Sequence, residues 1–63
     1  MNNKPKLQLV GIDGNAYSIL GAAVKAAKKA GWTQEMIADF KEEAMADDYQ
    51  HLLNTVVDQF DVS

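Results

Sequence analysis

His51 is the one side chain in this sequence whose unperturbed pKa lies near neutrality. If the chain around it is helical, Asp47 and Asp48 lie one turn before the imidazole and Thr55 lies one turn after it. A carboxylate beside a histidine can orient an acid–base catalyst. The same pair of groups can also contribute two ligands to a metal site.

The rest of the sequence completes neither of these chemistries. There is no cysteine, and the serines and threonines lack the glycine-rich turn that exposes a nucleophilic hydroxyl. A zinc site needs a third and a fourth ligand. We therefore predict no enzyme, no catalytic residue, no metal and no cofactor. His51 is interpreted as a helix-surface histidine with local charge partners, and contact with a ligand or partner is the alternative.

The turn at residues 13–15 lies just before a predicted helix, whose N-terminal N–H groups can bind an anion. The sequence there is neither G-x-G-x-x-G nor a P-loop, and Asp13 would oppose a phosphate. Asn15 is a typical helix N-cap, so turn formation and capping account for these residues. The alternative is a small-ligand site for a nucleotide-like or anionic metabolite, built from residues 13–17 with Tyr49 and His51.

Two further aromatic residues are candidate contacts. Trp32 follows Gly31 at a predicted break between helices, where it is expected to fill the junction. Its alternative role is an exposed interface anchor, for which tryptophan is enriched. Tyr17, at the edge of an apolar helix face, is open to both interpretations.

Hydrophobic periodicity predicts the elements that must position these residues. Residues 6–13 indicate a strand, with a bulge at Gly11 as one interpretation. A first helix is predicted over residues 16–30, terminated by Gly31. A second is predicted from an N-cap at Thr33 to about residue 46, and a third from an N-cap at Asp47 or Asp48 to about residue 59. The tail 60–63 returns to strand-like alternation. The predicted fold class is α+β, a short N-terminal strand followed by three helices and a short C-terminal strand, in a single small domain spanning residues 1–63.

Helical spacing assigns one apolar face to each helix. These faces comprise, in the first helix, Ala16, Leu20, Ala23, Ala27 and Ala30 flanked by Ile19 and Val24, in the second, Met36, Ile37, Phe40 and Ala44, and in the third, Tyr49, Leu52, Leu53, Val56, Val57 and Phe60. The small residues of the first helix permit close approach but bury little volume. A 63-residue chain with such a core is expected to be marginally stable, which favours self-association. The tail can pair with residues 7–10, or the first strand can pair across a dimer, and the sequence leaves both open.

Charge is divided between the two halves of the chain. Residues 1–31 carry a net charge of +4 and residues 32–63 a net charge of −7, so the halves can attract each other within or between chains. The second helix is predicted to present an acidic face made of Glu35, Asp39, Glu42 and Glu43. That face is interpreted as solvated, or as a docking surface for a basic partner such as Lys25, Lys28 and Lys29 of a second copy. We predict a homo-oligomer, with a host protein or a small ligand as further candidate partners.

Composition argues against nucleic acid and membranes as partners and against secretion. There is no arginine, and the isoelectric point is about 4.7, so binding to nucleic acid is not expected. No apolar run reaches membrane-spanning length, and no apolar stretch follows the N-terminal lysines as in a secretory signal. The predicted location is therefore the cytoplasm, without membrane contact.

Two segments carry a resemblance to known sequences. Residues 13–21, DGNAYSILG, and residues 44–55, AMADDYQHLLNT, resemble a group of short uncharacterised bacteriophage and mobile-element proteins with DGNAF-x-ILG-like and GDYDHLL-x-T-like stretches. The sequence departs from that pattern at Asp47, where the group has glycine, and at Gln50, where it has aspartate. The resemblance implies a phage setting in a host cytoplasm and, by analogy with other small phage proteins, an action against a host function.

Overall fold

The computed structural model describes residues 4–9 and 11–62 of the chain. Strand β1 (Lys6–Leu7) is followed by three helices and by strand β2 (Asp61–Val62). The helices are α1 (Ala16–Lys29), α2 (Gln34–Ala44) and α3 (Tyr49–Gln59). This arrangement confirms the predicted α+β fold, with a short strand on each side of three helices.

The two strands pair with each other in parallel, with Lys6 opposite Asp61 and Leu7 opposite Val62. The Asp61 N–H donates to the Pro5 carbonyl at 2.8 Å. The C-terminal tail therefore pairs within the chain, which was one of the two pairings that the sequence left open. A parallel pair needs a long crossover, and here the three helices provide it.

The first strand is shorter than predicted. Instead of running to residue 13 it ends at Leu7, and the Ile12 N–H then donates to the Leu9 carbonyl at 3.1 Å. Gly11 has a φ of +84°, a conformation that glycine adopts without steric cost. The expected bulge at Gly11 is thus part of a turn that ends the extended segment. Val10 and Ser63, which belong to the predicted strand segments, lie outside the described residues.

Each helix begins at an N-cap that the sequence predicts. The side chains of Asn15, Thr33 and Asp48 accept hydrogen bonds from the first-turn N–H groups of α1, α2 and α3, at 2.8, 3.1 and 2.9 Å. These bonds satisfy backbone donors that have no partner inside the helix. Asp48, rather than Asp47, is the cap of α3, and α2 ends two residues before the predicted limit.

Helix α1 ends at Lys29 and is terminated, as predicted, by Gly31 in the left-handed conformation, with a φ of +92°. The Gly31 N–H donates to the Lys28 carbonyl at 3.1 Å, and the Trp32 N–H donates to the Ala27 carbonyl at 3.0 Å. This pair of bonds is the Schellman motif, in which a left-handed residue satisfies the last helical carbonyls. The motif reverses the chain and places the Trp32 ring over the core.

The core lies between the three helices and is closed by β1 and the end of α3. Its buried apolar residues are Leu7, Ile19, Leu20, Ala23, Ala27, Ile37, Phe40, Ala44, Leu52, Val56 and Phe60. Three aromatic rings meet inside it. Trp32 stacks on Phe60 with centroids 5.2 Å apart, and both rings contact Phe40 edge-on, at 6.0 and 5.2 Å. We call Trp32, Phe40 and Phe60 the aromatic triplet.

The predicted apolar faces of the helices are wider than the buried ones. Met36 is 47% exposed, Tyr49 45% and Val57 57%, although all three were expected in the core. Ala30 is also exposed. In a three-helix fold of this size each helix is covered by the other two helices and by at most one two-residue strand, so the edges of a wide apolar face remain in water.

Candidate functional site

His51 contacts a residue that helical spacing did not indicate. Its Nε2 lies 2.8 Å from the Glu43 carboxylate Oε2 and 3.0 Å from the Glu43 backbone carbonyl. Glu43 lies on the last turn of α2, so this contact connects α2 to α3. Two of the expected partners bind the backbone of His51 instead of its ring. The Asp48 carboxylate accepts from the His51 N–H, and the Thr55 hydroxyl donates to the His51 carbonyl at 2.8 Å.

The surroundings of His51 favour its protonated form. The hydrogen bond to the Glu43 side chain raises the pKa of His51 above its ordinary value, and the negative charges of Glu43 and Asp47 act in the same direction. The contact is open to water, with side chains 34% and 63% exposed. It is a titratable link between two helices. Among the described residues, no group of three or more histidine, cysteine, aspartate or glutamate side chains could hold a metal ion.

The predicted small-ligand site is only partly brought together. The Tyr49 hydroxyl donates to the Gly14 carbonyl at 2.7 Å, which joins the start of α3 to the turn before α1. Asn15 uses its side chain as the α1 cap, while Asp13 and Tyr17 are exposed. His51 follows Tyr49 by two positions on α3, so the two side chains leave different faces of the helix. A ligand site that combines both stays a prediction.

Trp32 occupies the junction of α1 and α2, in agreement with the first of its two interpretations. The ring is half-buried against Phe40 and Phe60. Its remaining surface borders a depression of about 300 Å³ that is also lined by Met36 and Glu43. The contacts of Trp32 are therefore mainly internal.

A larger groove, which the sequence did not indicate, lies where β1 packs beside the C-terminal half of α1. It has a volume of about 650 Å³. We call it the basic groove, and its lining residues are Pro5, Lys6, Leu7, Gln8, Ile12, Ala22, Lys25, Ala26, Lys29 and Ala30. Three of these residues are lysines and none is acidic. The spacing of Lys25 and Lys29 was visible in the sequence, but the approach of Lys6 depends on how β1 packs against α1.

The acidic residues of α2 form the opposite kind of surface. Glu35, Asp39, Glu42 and Glu43 are exposed, as predicted, and we call them the acidic face. Asp39, Glu42 and Glu43 border a shallow depression of about 310 Å³. Positive and negative surfaces are thus carried by different helices of one small molecule.

Comparisons with protein-family models, with curated proteins and with solved structures gave no match to this chain. None of the helices in the described part of the chain is both long and apolar enough to cross a membrane.

Proposed function

We propose that this protein is a non-catalytic interaction module that self-associates, with the acidic face of one copy against the α1 lysines of another. One observation carries the proposal. In the described part of the chain, the only side-chain ion pair joins Glu43 to His51. The exposed lysines Lys25, Lys28 and Lys29 therefore form no ion pair with the acidic face of their own chain. In the proposed dimer, the lysines of a second copy supply the opposite charge.

A two-fold dimer would use this contact twice, because each copy has both surfaces. Exposed ion pairs contribute only about 0.2–1 kcal/mol each, so charge alone gives a weak complex. Met36, which is exposed beside the acidic face on α2, adds apolar surface to the proposed contact. The resulting association is expected to weaken as salt screens the charges.

The proposed setting is a phage or mobile element, with a host protein as the eventual target. This part of the proposal is supported by the resemblance of residues 13–21 and 44–55 alone. Self-association and host binding are compatible, since a dimer presents two copies of every exposed surface.

Charge exchange tests the self-association. Lys25→Glu with Lys28→Glu makes the α1 surface acidic, and Glu35→Lys with Asp39→Lys makes the α2 surface basic. Each double variant alone is expected to be a monomer by sedimentation velocity, whereas an equimolar mixture of the two restores the dimer. Lys4→Glu with Lys41→Glu changes the net charge by as much as the Lys25→Glu and Lys28→Glu variant does, but outside both surfaces, and it is expected to leave the dimer intact.

Two results would refute the proposal. One is a wild-type protein that stays monomeric at high micromolar concentration in low salt. The other is a mixture of the two double variants that does not associate although each variant retains its helical circular dichroism.

A further inference from the structure

Strand β1 has one edge that β2 leaves unpaired. The Pro5 carbonyl accepts from Asp61, and the register places Lys6 opposite Asp61. In a parallel ladder, alternate residues direct their backbone groups to the same neighbour. The N–H and C=O of Lys6 therefore point away from β2. Because no β2 residue is among those that line the basic groove, the groove opens on this unpaired side.

The opposite wall of the groove is suited to an extended backbone. Ala22, Ala26 and Ala30 lie on the α1 side and extend little into the groove. Lys25 and Lys29 border the same wall, and Lys6 stands across from them on β1. The groove thus combines a strand edge, a wall of small residues and three positive charges, and none of its lining residues in the described part of the chain is acidic.

We propose that the basic groove binds an acidic, extended segment of another protein, which adds to the Lys6 edge of β1 as a further strand. Strand addition obtains affinity from main-chain hydrogen bonds and selectivity from alternate side chains. The segment from Pro5 to Gln8 is about 13 Å long at the usual rise per strand residue, which accommodates about four residues of a partner. Acidic side chains at alternate positions of that partner would meet the three lysines.

This inference goes beyond self-association, because the partner is a different chain and the contact includes the backbone of β1. Lys25 and Lys29 belong to both surfaces, so the acidic segment would compete with a second copy. Lys6 belongs to the groove alone. Variants of Lys6 therefore test strand addition without changing the surface that the self-association experiment uses.

The experiment uses the full chain at a dilution where it is monomeric, and as probe an acetylated peptide of alternating valine and glutamate. Binding is followed by amide chemical shifts and by hydrogen exchange of the Lys6 N–H. Lys6→Gln removes the charge and keeps the donor, so its affinity is expected to fall about two- to fivefold, the value of one exposed ion pair. Lys6→Pro also removes the donor, while the Pro5 and Leu7 groups that face β2 remain, and we expect at least a tenfold loss.

A second probe tests the same inference on the unaltered protein. The peptide with every backbone nitrogen methylated keeps its charges but cannot pair as a strand, and it is expected not to bind. Equal binding of both peptides, or equal affinities of Lys6→Pro and Lys6→Gln, would reduce the groove to a nonspecific cationic surface and overturn the proposal. Absence of binding by the unmethylated peptide would overturn it as well, whatever the oligomeric state of the protein.

Discussion

The junction between α1 and α2 differs in chemistry from the junction between α2 and α3. The first is fixed by the Schellman motif at Gly31 and by Trp32, whose ring packs in the aromatic triplet. The second is held by the Asp48 cap and by the exposed contact between Glu43 and His51. The first junction depends on buried surface and backbone geometry, whereas the second responds to pH and salt. The two should therefore differ in how much they contribute to stability and in what disturbs them.

The largest effect is expected from the aromatic triplet. Phe60 is 1% exposed, and Phe60→Ala should lower the free energy of unfolding by about 3–5 kcal/mol, through lost burial and the cavity that remains. This is a large part of the stability of a small domain. Urea unfolding followed by circular dichroism measures the loss. Val57→Ala, on the exposed side of α3, serves as the control and should change stability by less than about 0.5 kcal/mol.

The backbone at Gly31 is expected to give the next largest effect. A Cβ at position 31 would meet no atom within 4 Å, so Gly31→Ala tests the positive φ alone. We expect a loss of about 1–2 kcal/mol, the cost of left-handed backbone for an L-residue. Gly21→Ala is the matched control within α1, where the Cβ also has open space, and it should stabilise the protein by about 0.5–1 kcal/mol. The melting temperatures of the two variants should shift in opposite directions. A Gly31→Ala variant as stable as the wild type would contradict this account of Gly31.

At the second junction, Asp48→Ala removes the side-chain acceptor that begins α3. The expected loss is about 1 kcal/mol, as for other N-caps. Asp48→Ser keeps an acceptor at the cap and should restore most of the stability in chemical unfolding. If Asp48→Ser is as unstable as Asp48→Ala, the charge of Asp48 matters at this junction rather than its hydrogen bond.

The smallest effect is the pH dependence of the contact between Glu43 and His51. The pKa of His51 is raised in the folded chain, so the contact stabilises the fold below the ordinary histidine pKa of 6.5 and loses that contribution as pH rises through the raised value. A nuclear magnetic resonance titration of the His51 ring should give a lower pKa in Glu43→Gln than in the wild type. Stability measured between about pH 5 and 8 should vary less in that variant, and an unchanged histidine pKa would contradict the assignment.

The two junctions also show which features sequence analysis could predict. The caps Asn15 and Thr33 and the helix end at Gly31 were predicted correctly, because each depends on residues within one turn of the chain. The partner of His51 was missed, since Glu43 approaches it only when α2 and α3 pack side by side. The hydrogen bond from the Tyr49 hydroxyl to the Gly14 carbonyl was missed as well, because it also joins residues from two different parts of the chain. Side-chain contacts between elements depend on packing angles that periodicity does not contain.

The strands illustrate the same division at a longer range. Alternation indicated that both ends of the chain could be extended, but not how far, and the turn at Gly11 ended the first strand early. Parallel pairing of Lys6 with Asp61 could not be derived, because it depends on the route of three helices between them. The basic groove depends on that pairing, which fixes the position of β1 beside α1. The lysines were therefore visible in the sequence, but the groove that both Lys6 and Lys29 line was not.

The pairing of β1 with β2 has a consequence for the order of events during folding. The contacts within each helix are local, whereas this sheet closes a loop that contains all three helices. Closing such a loop costs chain entropy, and only the contacts between the packed helices offset that cost. The sheet is therefore expected to form last. Phe60 immediately precedes β2, and its docking would bring Asp61 to Pro5. In pulse-labelling hydrogen exchange, the Asp61 amide should therefore gain protection after the amides of α1. The β1 edge that faces the basic groove would then become available to a partner only in the last step of folding.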